Sequence, residues 1–186
     1  LSISPRSFDA AIVNPPYGKL STTSAAYRLL RSVNAETTNL YTAFLNLIIG
    51  LLKPGGELVA ITPRSFCNGP YYRPFRQNLL RQMSFRDIHI FDSRTSAFKH
   101  DNVLQENIIF HAVKGGNAPR TIRVSQSGGA NGDAVHTRVL SANEIMAVGD
   151  SLNDMEMIRY AGLGVAMGNA REELQEAANW VTLPNS

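Results

Sequence analysis

Apolar residues along this chain fall in short continuous runs, separated by stretches in which they recur at helical spacing. Phe8 to Val13 is such a run. Its length predicts a buried strand, ended by two prolines that cannot donate to a ladder. In the polar stretch Lys19 to Thr38, Ala25 to Arg31 predicts a short helix. Leu40, Phe44, Leu47, Ile48 and Leu51 then follow the helical period and define the expected buried face of a longer helix. Lys53-Pro54-Gly55-Gly56 is the expected stop, with a cation in the last turn and glycines beyond it. Glu57 to Thr62 predicts a second strand, and Phe75 to Met83 a helix with Leu79, Leu80 and Met83 on one side. Phe85 to Phe91 and Asn107 to Val113 predict a third and a fourth strand. No clear helix separates those two, so the fourth is expected to run antiparallel at the sheet edge.

Gly115-Gly116 and the Ser/Gly-rich run Ser125 to Asp133 read as loops. The alternation restarts with a strand over Ile145 to Val148, a helix from about Asn153 to Tyr160 and a strand over Gly164 to Met167. A helix from about Arg171 to Ala178 and a short strand at Trp180-Val181-Thr182 complete it. Strands alternating with helices predict an α/β fold built on parallel strands.

Composition narrows this picture. At 186 residues, 44% hydrophobic and 18% charged, the chain suffices for one sizeable core and is short for two complete enzyme domains. Its most apolar stretch, Leu40 to Leu52, is interrupted by Thr42, Asn46 and Gly50, too short and too polar for a membrane span, so no membrane partner is expected. The start, Leu1-Ser2-Ile3-Ser4-Pro5-Arg6, lacks a basic-then-apolar leader pattern and reads as a fragment boundary. Cys67 is the single cysteine, which excludes an internal disulfide and fits a reducing, cytoplasmic setting. The net charge of +3 hides an asymmetry: residues 1–140 hold 16 Lys and Arg against 8 Asp and Glu, whereas residues 141–186 hold 2 against 7. Twelve of those 16 are Arg, suited to forked phosphate contacts, although a solvated basic surface gives the same count.

Two motifs carry candidate chemistry. The first is Asn14-Pro15-Pro16-Tyr17, directly after the first strand. An adenine amine is a poor nucleophile because its lone pair is delocalised into the ring. Two acceptors aimed at the amino hydrogens favour a tetrahedral nitrogen. The Asn14 side-chain oxygen can supply one and the Pro15 carbonyl the other, while the rings of Pro15 and Pro16 lock the backbone that aims it. Tyr17 offers a flat face for an extruded base. Ligands of α/β sheets sit at the carboxyl ends of strands, which is where this motif falls. A plain Pro-Pro turn and a polyproline ligand are the competing readings of the bare tetrapeptide.

The wider pattern favours the first of these. It comprises Phe8-Asp9 with Asn14-Pro15-Pro16-Tyr17-Gly18, Leu40-Tyr41-Thr42-Ala43-Phe44, and Leu52-Lys53-Pro54-Gly55-Gly56-Glu57-Leu58. Ile61-Thr62-Pro63-Arg64-Ser65-Phe66, Tyr71-Tyr72-Arg73 and Glu106-Asn107-Ile108-Ile109-Phe110 continue it. In order and spacing, residues 8–113 resemble the N6-adenine DNA methyltransferases of restriction–modification systems. The resemblance implies that Asn14, Pro15, Pro16 and Tyr17 form the target-adenine site and that DNA and S-adenosylmethionine are partner and cofactor. It also makes Phe98 a candidate for stacking on the same base, a plain core phenylalanine being the alternative. The glycine loop and acidic residue that bind S-adenosylmethionine in such enzymes have no counterpart in this chain.

The second motif is Gly149-Asp150-Ser151-Leu152-Asn153-Asp154, with two carboxylates four residues apart at a strand-to-helix turn. Magnesium takes hard oxygen ligands, so Asp150 and Asp154 are candidate metal ligands, and a helix start decorated with acids is the alternative. Together with Ile145-Met146-Ala147-Val148 and Ala161-Gly162-Leu163-Gly164-Val165-Ala166-Met167-Gly168-Asn169-Ala170, this resembles the C-terminal part of haloacid-dehalogenase-superfamily phosphatases. Such enzymes also need an Asp-x-Asp-x-Thr nucleophile loop. Asp92-Ser93-Arg94-Thr95 imitates it only in part, with Arg where the second Asp belongs.

The expectation is therefore a composite. Residues 1–140 read as an incomplete Rossmann-like methyltransferase sheet, and residues 141–186 as a Rossmann-like C-terminal phosphatase fragment, the two able to share one continuous sheet. The expected role is that of a fragment of a DNA N6-adenine methyltransferase, inactive alone. A magnesium-dependent phosphatase and an inactive chimera are the alternatives. Weak, sequence-independent DNA binding is expected from residues 1–140. Its affinity should fall steeply between low and moderate salt because phosphate contacts release counterions. Deleting residues 141–186, which carry the acidic excess, should tighten it; both are read by fluorescence anisotropy on labelled DNA.

Overall fold

A six-residue run, apolar or small everywhere but Asp9, makes β1 (Phe8–Val13) where the sequence places it, but the expected buried strand is corrected: β1 is the outer strand of its sheet and has no buried position. The computed structural model describes residues 6–32, 37–67, 69–91, 107–116, 121–128 and 134–183. After β1 come the short α1 (Ala25–Ser32) and the apolar α2 (Leu40–Leu51). Asn39 caps α2, its side-chain oxygen accepting from the Tyr41 N–H at 3.2 Å.

The face that α2 buries differs from the expected one. Tyr41, Leu45 and Ile49 lie in the core, while Phe44 and Leu47 are about two-fifths exposed, at 42% and 41%. The helix is apolar nearly all round, so periodicity alone leaves its orientation open; Tyr41, whose ring is anchored by other aromatics, sets it. The helix stop also works differently. Lys53 pairs with Asp9 at 2.8 Å instead of serving the last turn, and Lys114 donates to the carbonyls of Ile49 and Leu52.

β2 (Leu52–Pro63) runs parallel to β1, with a register break at the glycine-containing turn where Gly55 has φ +80°. α3 (Arg73–Gln82) follows two 3₁₀ turns, Arg64–Cys67 and Pro70–Tyr72. It buries Phe75 and Leu79 and leaves Leu80 exposed, so Phe75 takes the place expected for Leu80. β3 (Met83–Phe91) and β4 (Asn107–Lys114) complete the predicted strands. β4 is antiparallel as expected, but it lies between β2 and β3 and pairs with both, so it is an inner strand. Its alternating burial on both sides of Phe110 explains why: a fully buried phenylalanine belongs at the centre of a sheet.

Two further strands extend the sheet beyond the sequence expectation. β5 (Thr121–Ser127) pairs parallel with β3, and β6 (His136–Ser141) pairs antiparallel with β5, giving the order β1-β2-β4-β3-β5-β6. Ser125 to Ser127, expected in a loop, therefore lie in β5. The hairpin carries only half-exposed apolar positions such as Ile122 and Val124 among Ser, Gln and Arg, which is why hydrophobic runs do not announce it.

The core sits on one face of this sheet, where Leu58, Ala60, Phe110 and Ala112 meet Tyr41, Leu45, Ile49 and Leu79. The opposite face is open, and Ile12 is 86% exposed there. On that face Asp87 bridges His111, at 3.1 Å, and Arg123, at 2.6 Å, in a cross-strand row.

The rest of the chain forms a separate sheet of three parallel strands, β7 (Met146–Gly149), β8 (Leu163–Ala166) and β9 (Trp180–Val181), packed under α4 (Met155–Tyr160) and α5 (Glu172–Ala177). Ala147, Ile158, Ala166 and Leu174 form its core. The expected continuous sheet is thus corrected: among the described residues no strand of one sheet pairs with the other. The two parts meet through Glu156 of α4, which accepts from Gln77 Nε2 at 3.0 Å and lies 3.6 Å from Arg73 Nε, both on α3.

Phe110→Ala should lower the unfolding free energy by about 3–5 kcal/mol, since it empties the centre of the core. Ile12→Ser, on the open face, should change it by no more than about 0.5 kcal/mol. Urea denaturation of the two variants checks both.

Candidate functional site

Strand direction decides where the first motif sits. β1 and β2 are parallel, so Asn14 and the 3₁₀ turn Arg64–Cys67 leave the sheet at the same edge. Asn14 and Pro16 are exposed, Pro15 is buried and Tyr17 is half-buried. The chain then turns at Gly18, whose φ is +147°, where a Cβ would meet Leu40 Cδ1 at 3.3 Å. That turn straps the motif to the entry of α2. Leu40 N–H donates to the Gly18 carbonyl at 2.9 Å, Leu20 N–H to the Thr38 carbonyl at 2.7 Å, and Lys19 and Asn39 form an antiparallel bridge between them.

The ring of Tyr17 is held by a second tyrosine. It meets Tyr41 edge-on at 6.3 Å, and Tyr41 meets Tyr72 at 5.9 Å in a tilted contact. Tyr41 is buried, and its hydroxyl shares a 3.2 Å hydrogen bond with Ser65 Oγ. Asn39 Nδ2 donates to the Tyr72 hydroxyl at 3.3 Å. Burial raises the pKa of the Tyr17 phenol above its ordinary value, so the ring stays neutral at physiological pH. The result is an exposed amide beside a half-buried, pre-positioned aromatic face at a strand's carboxyl end. Such a constellation accepts hydrogen bonds from a flat ligand's edge while stacking on its face.

Tyr41, Ser65 and Tyr72 are site-supporting residues that inspection of the tetrapeptide alone misses. Tyr41, Ser65 and Tyr72 stand in the quoted sequence pattern, but no local window shows that they meet. Phe98, like Asp92 to Thr95, lies outside the described residues.

At the second motif, Asp150 is exposed and Asp154 turns back onto its own loop. Asp154 Oδ2 accepts from the backbone N–H groups of Asp150 (3.2 Å) and Ser151 (3.3 Å), and Oδ1 accepts from Asn153 Nδ2 (3.1 Å). Ser151 and Asp154 thereby form a capping box at the helix start. Gly149 leaves the space for this, since a Cβ there would come within 2.5 Å of the Asp154 Cβ. The Asp154 oxygens are thus engaged by donors, and among the described residues no group of three acidic, His or Cys side chains converges. Two carboxylates, one of them a cap, do not fit a magnesium site as they stand.

Comparison with known proteins divides the chain at a similar place. Residues 3–98 match the family model for the Eco57I restriction-modification methylase, and residues 133–186 match that for a haloacid dehalogenase-like hydrolase. The type II methyltransferase M.PstI of Providencia stuartii is 53% identical over 124 residues, which cover 67% of this chain and 24% of that protein. A 5-amino-6-(5-phospho-D-ribitylamino)uracil phosphatase of Bacillus subtilis is 58% identical over 41 residues, 22% of this chain and 16% of that protein. Among solved structures, the type IIG restriction endonuclease BpuSI superposes with a TM-score of 0.53 at 16% identity, covering 75% of this chain and 20% of that one. The chain thus spans about a quarter or less of the length of these relatives. No helix among the described residues is long and apolar enough to cross a membrane.

If Asp154 is a cap, Asp154→Ala should destabilise the tail by about 1 kcal/mol. The loss should be the same with magnesium as with a chelator, and magnesium binding by calorimetry should be no tighter than about millimolar. A magnesium-dependent phosphatase activity lost on Asp150→Asn would overturn this.

Proposed function

Because the chain belongs, over residues 3–98, to the Eco57I restriction-modification methylase family, we propose that its first sheet is the base-holding side of a DNA N6-adenine methyltransferase. The observation that carries this reading is the Asn14–Tyr17 turn, open at Asn14 and fixed at Tyr17 by Tyr41. In the proposed role the target adenine leaves the duplex and stacks on Tyr17. The Asn14 side-chain oxygen and the Pro15 carbonyl accept its two amino hydrogens. This draws the nitrogen lone pair out of conjugation and points it away from the ring.

Methyl transfer in this family draws on S-adenosylmethionine. The described residues do not make a cradle for that cofactor. β1 is the outer strand of the sheet, and Phe8, Ala10 and Ile12 on it are exposed, so nothing described stands beside Asn14 on that side. The chain's own contribution is to the acceptor base. We assign residues 1–140 to this methylase-derived part and residues 141–186 to a phosphatase-like part without an attacking carboxylate, which cannot form a phosphoenzyme. DNA is the expected partner, held weakly and through charge.

The test is a segment exchange. The aligned segment of this chain, placed in M.PstI in exchange for that protein's own, should retain N6-adenine methylation of DNA. Asn14→Ala within the exchange should lower the rate at least about 100-fold, the scale of one lost charge-stabilising hydrogen bond. Full activity of that variant would refute the assignment. The chain by itself should incorporate no methyl groups into DNA.

A further inference from the structure

The aromatic contacts that fix Tyr17 do not end at Tyr72. Tyr71 meets Tyr72 at 4.7 Å with the two rings at 89°, so they form a right-angled corner. This corner borders a half-open cavity of about 190 Å³ lined by Thr37, Thr38, Tyr71, Tyr72, Pro74 and Phe75. Phe75 is buried and forms part of the apolar lining, while Tyr71, at the rim, is 58% exposed. The Tyr71 hydroxyl shares a hydrogen bond with Thr38 Oγ1, which fixes the ring although most of it faces solvent.

Each feature restricts the occupant. The volume is below the usual range for drug-sized ligands and suits one flat ring system, not a whole nucleotide. A ring stacked on one tyrosine meets the edge of the other, the arrangement aromatic quadrupoles favour. The rim groups are hydroxyls, which both donate and accept, so they tolerate different heterocycle edges. Cations stand alongside. Lys19 is exposed and its backbone bridges Asn39, next to Thr38, while Arg73, which follows Tyr72 directly, lies 3.6 Å from Glu156. A ligand that joins a flat ring to an anionic backbone fits this surface better than a neutral peptide does.

We infer that the Tyr71–Tyr72 cavity is a second base-stacking site, taking one unstacked nucleobase of the DNA strand whose target adenine lies at Asn14–Tyr17. This rests on the proposed base-holding role, because the Tyr17–Tyr41–Tyr72–Tyr71 series of ring contacts is what joins the two sites. Its readout is sequence-tolerant: every base has a face to stack, and the exposed Lys19 serves the phosphate backbone.

The experiment measures binding of a short fluorescein-labelled oligodeoxyadenylate to the whole chain by anisotropy at low salt, beside an abasic oligonucleotide of equal length. Tyr71→Ala should weaken oligodeoxyadenylate binding about tenfold, the scale of one lost base stack, and leave abasic binding unchanged. Tyr71→Phe keeps the ring and should stay within about twofold of the parent. Equal losses in Tyr71→Phe and Tyr71→Ala would reduce the residue to a structural hydrogen bond with Thr38 and overturn the inference. So would an equal loss on the abasic strand, or binding of a proline-rich peptide in place of DNA. Thermal unfolding checks the fold, and Tyr71→Leu, which keeps bulk without a ring face, replaces the alanine variant if that one unfolds. Asn14→Ala separates the two readings. Loss with Asn14→Ala but not with Tyr71→Ala overturns this cavity and leaves the first site standing; the reverse supports the cavity and counts against the first site.

Discussion

β4 sets the direction of everything around it. It runs against both of its neighbours, β2 and β3, so those two must run the same way. Parallel pairing then gives β1 the direction of β2, and β5 that of β3. Four strands therefore end at one edge of the sheet. Asn14 leaves β1 there, Arg64 leaves β2 there, and Phe91 ends β3 there. An antiparallel strand placed at the sheet edge would have imposed no such alignment. With Phe110 fully buried at its centre, the inner position is enforced by the core itself. The candidate base site owes its place to the parallel pairing of β1 with β2, and the inner β4 brings the ends of β3 and β5 to the same side.

The tyrosine cluster converts that shared edge into a defined surface. Exposed aromatic rings are normally free to rotate, and a freely rotating ring pays entropy when it stacks. Here Tyr41 is buried and hydrogen-bonded to Ser65, so it acts as a fixed post against which Tyr17 and Tyr72 both lean. The backbone bridge from Gly18 to Leu20 and from Thr38 to Leu40 ties the same post to the Asn14 turn. Orientation is therefore supplied by side chains that need never touch a ligand.

Much of this was legible in the sequence where one signal had one cause. Phe8 to Val13, one residue ahead of two prolines, gave β1 and its end, although not its exposure as the outer strand. The apolar run Asn107 to Val113 gave β4, and the lack of a helix pattern before it gave its antiparallel direction, although not its inner position. Legibility failed where one signal had several causes. α2 is apolar on nearly every side, so its spacing suggested Phe44 and Leu47 as buried when Tyr41 and Leu45 are. β5 and β6 carry too few apolar residues to stand out, because they extend the sheet at its half-exposed end. The candidate base motif was readable, but its supports were not. Tyr41, Ser65 and Tyr72 come together only once β1 and β2 are parallel, a fact about pairing that no local window contains. The acidic pair of the tail shows the opposite case. Its spacing suited both a metal and a cap, and the geometry at Gly149 and Ser151 favours the cap.

The tail bears on the first sheet through charge more than through packing. Its strands pair only among themselves, and the described polar link across to α3 is Glu156, which sits at Arg73 and Gln77. Arg73 is the residue between Tyr72 and Pro74, both of which line the aromatic cavity. A carboxylate in that place satisfies a guanidinium that would otherwise face an incoming phosphate. The pair is partly exposed, so its strength is modest and screened by salt. Its position matters more than its strength, because it opposes the field of the basic first part at the one point where base stacking and phosphate contact would coincide. The charge asymmetry between residues 1–140 and 141–186 is therefore not a passive feature of two joined pieces. In the folded chain Glu156 of the acidic piece is laid against Arg73 and Gln77 of the basic one.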